Sequence, residues 1–341
     1  MSRTELNQLG EFALIEHLTH EIVIHNDETL LGIGDDAAII ENTSACTLVS
    51  TDLLIEGIHF DLMYHPLKHL GYKAVIVNLS DIIAMNAIPK QITVSIAVSN
   101  RFSIEALEEL YKGIKLACDT YKIDLIGGDT SSSHKGLIIS ITAIGVQQKE
   151  KIVKRSGAKI GDYIYVSGDL GGAYLGLQLL EREKKIYIEN PGVQPKLDEN
   201  RGIIEKFLKP EIRKDIITML DHAKIIPTSM IDISDGLSSD LIHICRQSNV
   251  GASIEEANVP IDQEAQLMAL EFHLDPITCA LSGGEDYELL FTISPSDHEK
   301  IKQLPSFYYI GEIVSPESGV KLKTSKGNLH EITAQGWKHF N

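Results

Sequence analysis

The sequence lacks the residue patterns of the most familiar catalytic and metal sites. Its four cysteines lie far apart and form no Cys-x-x-Cys pair, which argues against a structural zinc site and a disulfide framework. The phosphate-binding pattern Gly-x-x-x-x-Gly-Lys-Ser/Thr is missing, so the chain is not a P-loop enzyme. No Ser/His/Asp or Cys/His arrangement stands out, and we therefore predict neither a general base nor a covalent nucleophile.

Positive charge is also scarce, because 31 Lys and Arg residues face 48 Asp and Glu residues and give a net charge of −17. Nucleic acids and anionic membranes both select positively charged patches, so we expect neither as a partner. No apolar run approaches the length of a membrane span, and the first residues include Glu5 and Glu11 instead of an apolar signal core. We therefore expect a cytoplasmic protein, whose phosphorylated substrates would need cations to bridge them to it.

What the sequence does contain is acidic residues beside glycine, first in Gly32-Ile33-Gly34-Asp35-Asp36. A dinucleotide-binding loop also shows Gly-x-Gly, but its backbone N–H groups bind a bare pyrophosphate, which two carboxylates would repel. The pattern suits a divalent cation shared with a phosphate, because Mg²⁺ prefers oxygen ligands. Alone, Gly-Asp-Asp is more often a solvated turn, so the prediction depends on similar patterns elsewhere.

Further acidic residues follow short apolar stretches that we predict to be strands. The strand 46–50 leads into Thr51 and Asp52, and ligands commonly collect beyond the carboxyl ends of strands. Three later stretches repeat this arrangement with glycine, serine or threonine, and they supply Asp129, Asp232, Ser234, Asp235, Glu285 and Asp286. Such a turn before a helix also favours phosphate, although a capping Ser or Asp gives the same pattern.

One predicted helix, over 66–87, is apolar nearly all round and is therefore expected to be buried. It contains Asn78 and Asp81, which lie three residues apart on one face. Burying an unpaired carboxylate costs several kcal/mol, so Asp81 needs either a basic partner or a metal ion.

The remaining pattern mixes helices and strands without strict βαβ alternation, which predicts an α+β protein. We expect helices over 5–24, 103–121, 173–182 and 237–249, and strands over 91–98, 123–126, 137–146 and 162–166. The histidines of the first helix are expected on its polar face, without a metal. The charged stretch 147–161 indicates a boundary between domains 1–149 and 150–341, and 184–200 is predicted to be irregular.

Seven segments together resemble the thiamine-monophosphate kinase family, within the aminoimidazole-ribonucleotide-synthetase-like superfamily. The similarity runs in family order from Gly10 to Phe340 through Gly32–Ala38, Thr51–Phe60, Gly71–Asp81, Gly127–Thr130, Arg155–Gly157, Asp232–Leu237 and Ser282–Phe291. It implies an N-terminal α/β domain that forms a homodimer and a C-terminal α+β sandwich domain. It also implies the reaction of ATP and thiamine phosphate to give ADP and thiamine diphosphate.

The resemblance further implies a role for individual residues. Several Mg²⁺ ions would be held by Asp35, Ser50, Thr51, Asp52, Asp81, Asp129, Asp232 and Asp235. ATP would contact Tyr111, Gly128, Asp129, Arg155 and Ser234, and thiamine phosphate would contact His59, Glu285 and Trp337.

Two departures and two alternatives accompany this interpretation. Ser131 stands where the family usually has a second Thr, and 184–200 follows no family pattern. Other members of the superfamily that use ATP remain an alternative, although the reactive cysteines of two of them are missing here. The other alternative is a non-catalytic ATP and Mg²⁺ binding regulator on the same fold.

Overall fold

The computed structural model describes residues 29–31, 35–36, 38–41 and 45–334. Within these ranges the chain forms two β-sheets, of six and seven strands, each packed against helices. The expected two-domain α+β architecture is confirmed. The helix predicted over 5–24 lies outside the described residues. None of the helices in the described ranges is both long and apolar enough to cross a membrane.

The N-terminal half forms the six-stranded sheet, with strand order β1-β2-β3-β6-β4-β5. Its elements are β1 (Thr29–Leu31), β2 (Ala38–Glu41), β3 (Cys46–Ile55), α1 (Leu67–Ala84), β4 (Ile88–Val98), α2 (Ile104–Tyr121), β5 (Asp124–Ser132) and β6 (Ile138–Gln147). Burial alternates along β6, so one face of the sheet packs on the core while the other is only partly covered. Helix α1 covers the buried face.

Two elements of this half behave as the sequence predicts, and one does not. Helix α1 is buried along most of its length, and Ser103 caps α2 by accepting a hydrogen bond from the N–H of Ala106. The expected end of the β5 strand at Ile126 was wrong, because pairing with β4 continues to Ser132. The Gly-Gly-Asp-Thr stretch therefore lies within a strand and not beyond its end.

The C-terminal half forms the seven-stranded sheet, with strand order β13-β12-β9-β11-β7-β10-β8. Its strands are β7 (Tyr163–Val166), β8 (Ser229–Asp232), β9 (Gly251–Glu255), β10 (Leu289–Ile293), β11 (Tyr308–Val314), β12 (Val320–Lys323) and β13 (Leu329–Glu331). Its helices are α3 (Gly172–Glu189), α4 (Arg201–Leu208), α5 (Lys214–Ala223), α6 (Leu237–Ser248), α7 (Gln263–Glu271), α8 (Pro276–Ser282) and α9 (His298–Ile301).

Helix α3 is longer than expected, because it continues to Glu189 instead of ending at Arg182. No glycine or proline interrupts 183–189, and the buried Glu183 accepts hydrogen bonds from Arg182 and from the N–H of Lys196. The prediction of an irregular segment therefore holds only for the residues after α3.

One hydrophobic cluster contains residues of both halves. The cluster that contains Leu48 and Ile76 of the first half also contains Tyr165, Met230 and Phe291 of the second. Helix α1 packs directly against β8. Side chains from the two sheets therefore meet along this seam.

Helices α1 and α2 approach closely at two glycines. A Cβ atom on Gly71 would lie 2.0 Å from the carbonyl oxygen of Leu110, and one on Gly113 would lie 1.9 Å from that of Lys68. Neither position can carry a side chain unless the helices move apart.

We expect Gly113→Ala to destabilise the protein, although alanine normally favours a helix over glycine. Separating the helices should cost about 1–3 kcal/mol, as overpacking does in other cores, and should lower the melting temperature by several degrees. The control is Gly192→Ala, whose Cβ would meet no atom within 4 Å. A Gly113→Ala melting temperature at or above that of the wild type would contradict this packing.

Candidate metal and nucleotide site

Three carboxylates from three separate elements converge at the seam between the halves. Asp36 precedes β2, Asp81 lies on α1 and Asp232 ends β8, and one oxygen atom from each lies within 4.8 Å of the others. Asp36 is 7% exposed and Asp232 is 3% exposed. We call these three residues the carboxylate cluster.

Hydroxyl and amide groups hold the cluster in place. Ser50 donates to Asp81 at 2.5 Å, and Ser80 donates to Asp232 at 2.6 Å. The N–H of Asp52 donates to the side-chain oxygen of Asn78 at 2.9 Å, which fixes β3 against α1 beside the cluster. This hydrogen bond accounts for Asn78, the second polar residue of the buried helix.

No basic side chain pairs with Asp81 in the described part of the chain, where its hydrogen-bond partner is Ser50. Burial raises the pKa of Asp81 well above its usual range, and the charges of Asp52 and Asp232 raise it further. Burial also raises the pKa of Asp232, and burial with the charges of Asp235 and Asp232 raises that of Asp240. The sequence left either a basic side chain or a metal ion as the partner of Asp81. A metal ion fits this surplus of negative charge.

The oxygen atoms present also fit a metal ion. Asp36 Oδ2 is buried and has no hydrogen-bond partner within the described ranges. An unpaired buried oxygen is costly, and this one belongs to the group that approaches Asp81 and Asp232. Oxygen ligands of this kind suit Mg²⁺, which shares its coordination shell between carboxylates, phosphate and water.

The two adjacent aspartates have different surroundings. Arg155 forms an ion pair with Asp36, and its Nε atom lies 3.8 Å from Asp35 Oδ1. The N–H of Arg155 also faces Asp35, and burial raises the pKa of Asp35 to about 6. The structure therefore brings Asp36 into the carboxylate cluster, whereas the resemblance implied Asp35, and it places Arg155 at the edge of the site.

Two of the implied metal ligands lie on the opposite face of the six-stranded sheet. Because side chains alternate along a strand, Ser50 and Asp52 face the helices while Thr51 faces away and donates to the carbonyl of Ile141. Asp129 of β5 pairs with Ser95 of β4 and shares the outward face with Thr51. Three strand spacings, roughly 14 Å, separate β5 from β3.

Two of the implied nucleotide contacts, Gly128 and Tyr111, lie on β5 and α2. A Cβ on Gly128 would lie 1.8 Å from the carbonyl oxygen of Val94, so strand packing alone requires glycine there. Tyr111 is 36% exposed on α2.

The C-terminal half supplies a tight loop at the end of β8. The N–H of Asp235 donates to Asp240, and the carbonyl of Ser234 accepts from the N–H of Glu285 at 2.8 Å. Glu285 has φ of 65°, a left-handed conformation that is uncommon outside glycine. Glu285 lies close to Lys73, with 2.7 Å between Oε2 and the ammonium nitrogen. Asp286 has a structural role, since it accepts hydrogen bonds from the first N–H groups around α3.

His59 lies in the loop after β3, where its Nδ1 accepts the N–H of Ile55 at 3.0 Å. Its other ring nitrogen therefore carries the proton in the neutral form. Trp337, the third residue implied to contact thiamine phosphate, lies outside the described residues.

The sequence pattern offered Asp36 beside Asp35, although the resemblance implied only Asp35, and two further residues of this site were not predicted: Asp240 and Lys73. Lys73 could have been found from its position in the run Leu70-Gly71-Tyr72-Lys73-Ala74-Val75, where a lone charge interrupts a buried helix.

Comparisons with known proteins identify the family to which this fold belongs. The family model described as AIR synthase related protein, N-terminal domain, matches residues 34–147, and the corresponding C-terminal domain matches 159–323. The chain is 35% identical to a thiamine-monophosphate kinase of Aquifex aeolicus, covering 98% of this chain and 99% of the relative. It is 33% identical to that of Bacillus subtilis, covering 97% and 100%.

A solved structure described as AaThiL complexed with AMPPCP and TMP superposes with a TM-score of 0.84 at 33% identity, covering 100% of both chains. Similarity of sequence and structure thus extends over the whole chain. The chain belongs to the thiamine-monophosphate kinase family.

Proposed function

We propose that this protein transfers the γ-phosphoryl group of ATP to thiamine phosphate, giving ADP and thiamine diphosphate. The observation that carries the proposal is the carboxylate cluster, in which Asp36 and Asp232 are buried and Asp81 is half-buried. The cluster joins the two halves and includes an oxygen atom that has no hydrogen-bond partner among the described residues. The related structure that contains AMPPCP and TMP supports the choice of both substrates.

The cluster would hold Mg²⁺, with Asp52 and Asp235 beside it. Bound there, Mg²⁺ would neutralise phosphate charge and align the two substrates for in-line transfer. The protein's own groups prepare the site: Ser50 and Ser80 orient two of the carboxylates. Arg155 carries a guanidinium that can bind phosphate oxygens bidentately. We place the domain boundary between residues 149 and 150. The cluster then takes Asp36 and Asp81 from the first domain and Asp232 from the second.

The transfer needs no base, because the nucleophile is an oxygen of thiamine phosphate. A phosphate monoester has a second pKa of about 6 and is mostly doubly ionised at pH 7. The main obstacle is repulsion between two polyanions in a protein of net charge −17. We therefore propose direct transfer without a phosphorylated enzyme.

We further propose that the protein acts as a homodimer. All residues of the edge strand β5 are exposed, and Leu53 on the outward sheet face is 51% exposed. An uncovered edge and face of this kind invite pairing with another chain. Asp129 lies three strands from Asp52 and on the other face of the six-stranded sheet. A second copy that packs against this edge and face would supply its Asp129 to the site of its neighbour.

The metal proposal predicts opposite effects of Asp81→Asn with and without Mg²⁺. In EDTA the variant should melt at the same temperature as the wild type or higher, because one of several crowded buried carboxylates is gone. With Mg²⁺ the wild type should gain several degrees and the variant little or nothing. Asp198→Asn, at an exposed position, is the control.

The pH dependence has a definite sign. Asp81 and Asp232 have raised pKa values in the folded protein, so the folded state retains protons that the unfolded state releases above about pH 4. Stability in EDTA should therefore fall as pH rises above that value, while the shift caused by Mg²⁺ should grow. If Mg²⁺ raised the melting temperature of the wild type and of Asp81→Asn equally, the proposed metal site would be contradicted.

The function itself is tested by ATP turnover with and without thiamine phosphate. We expect turnover only when thiamine phosphate is present, no labelled protein from γ-labelled ATP alone, and a loss of about 10²-fold or more in a folded Asp52→Asn variant. Turnover independent of thiamine phosphate would contradict the proposed substrate, and a labelled protein would contradict direct transfer.

The dimer proposal predicts complementation between two inactive variants. In a mixed dimer of Asp52→Asn and Asp129→Asn, one of the two sites would regain both aspartates, so random mixing should restore about a quarter of wild-type activity. If each copy used its own Asp129, the mixture would remain as inactive as the separate variants.

A further inference from the structure

Lys73 is a buried cation at the seam, away from the carboxylate cluster. Its side chain is 1% exposed, and its ammonium donates to Glu285 Oε2 at 2.7 Å and to the carbonyl of Phe207 at 2.8 Å. The same ammonium lies 3.7 Å from the centroid of the Phe207 ring. Lys73 belongs to the N-terminal half, whereas both of its partners belong to the C-terminal half.

Glu285 supplies the negative charge that Lys73 needs. Burial lowers the pKa of Lys73, and the adjacent Glu285 charge opposes that effect. The nearby His65 is 1% exposed, and its pKa lies well below the usual range because of burial and the charge of Lys73. His65 is therefore neutral and adds no second positive charge beside Lys73, whose counter-ion is Glu285.

The loop that carries Glu285 is under strain and pressed against the end of β8. Glu285 and Tyr287 have φ of 65° and 51°, and their N–H groups donate to Ser234 and Ile233. A Cβ on Gly284 would lie 2.3 Å from the carbonyl oxygen of Ser234. This conformation is costly for residues other than glycine, so the surrounding contacts must maintain it.

Lys73 binds only one of the two carboxylate oxygens of Glu285. The Glu285 side chain is 32% exposed. The Oε2 atom faces inward to the ammonium, and the carboxylate still presents charge to the open side of the loop. Because the ammonium of Lys73 binds Oε2, it restricts the directions in which Oε1 of Glu285 can point.

We propose that Lys73 is a positioning residue for thiamine phosphate, because it holds Glu285 in the orientation that binds the cationic end of the substrate. The proposal rests on the proposed function. Thiamine phosphate carries a cationic thiazolium ring and an aminopyrimidine, both of which suit a carboxylate. ATP carries no such cation, so the effect of Lys73 should be selective for one substrate.

The position of Lys73 on α1 supports this role. Asp81 follows it on the same helix, and at 1.5 Å per residue the two are about 12 Å apart along the axis. One buried helix therefore carries both Asp81 of the cluster and the lysine that holds Glu285, and it places these two residues at different points along the seam.

The test is a double-mutant cycle on binding, measured by calorimetry with the protein, Mg²⁺ and the non-hydrolysable analogue AMPPCP. Lys73→Met and Glu285→Gln should each weaken thiamine phosphate binding by about tenfold or more while AMPPCP affinity changes less than about twofold. The double variant should bind no more weakly than the weaker single variant, because both act through one group. Lys68→Met, an exposed lysine on the same helix, is the matched control and should match the wild type.

Additive losses in the double variant, or equal losses for thiamine phosphate and AMPPCP with a lower melting temperature, would overturn the proposal. If Lys73→Met does not fold, Glu285→Gln decides, and unchanged thiamine phosphate affinity in that variant overturns it. If the wild type itself fails to bind thiamine phosphate, the proposed function fails first. If the wild type binds and Lys73→Met binds equally well, only the role of Lys73 fails.

Discussion

Electrostatic repulsion among buried carboxylates at the seam is the constraint on which this structure depends. Asp36, Asp81 and Asp232 come from different elements, and among the described residues only Asp36 pairs with a cationic side chain, that of Arg155. Removing the carboxylates of Asp81 and Asp232 from water is therefore unfavourable. The hydroxyls of Ser50 and Ser80 hold two of these side chains but do not neutralise them. Under the proposed function, this local loss of stability preorganises a binding site for cations and phosphate.

Helix α1 connects the features that the site needs. It provides Asp81 and Ser80 to the cluster, Asn78 to the β3 backbone and Lys73 to the Glu285 loop. Such a helix must be buried to reach all of them, and its glycine contact with α2 fixes its depth. The burial of α1 therefore accounts both for its apolar character and for the few polar residues that it carries.

The sequence allowed the two-domain α+β fold, the buried helix and the acidic character of the site to be predicted. It could not show which of Asp35 and Asp36 joins the carboxylate cluster, because adjacent residues in a glycine-rich loop have no fixed periodicity. Strand parity places Thr51 and Asp129 on the outward face, but that became clear only when the pairing of β4, β5 and β6 was known. The Lys73 contact joins residues over two hundred positions apart, which no local pattern reveals.

The hydrophobic cluster shared by both halves has a consequence for how substrates enter. Leu48 and Ile76 pack in one core with Met230 and Phe291, so a hinge between the halves would have to break apolar contacts in each catalytic cycle. Opening by rigid-body rotation is therefore unfavourable. An arrangement without such a hinge keeps the spacing between the carboxylate cluster and the Glu285 loop fixed, so that access to the site depends on the loops around it.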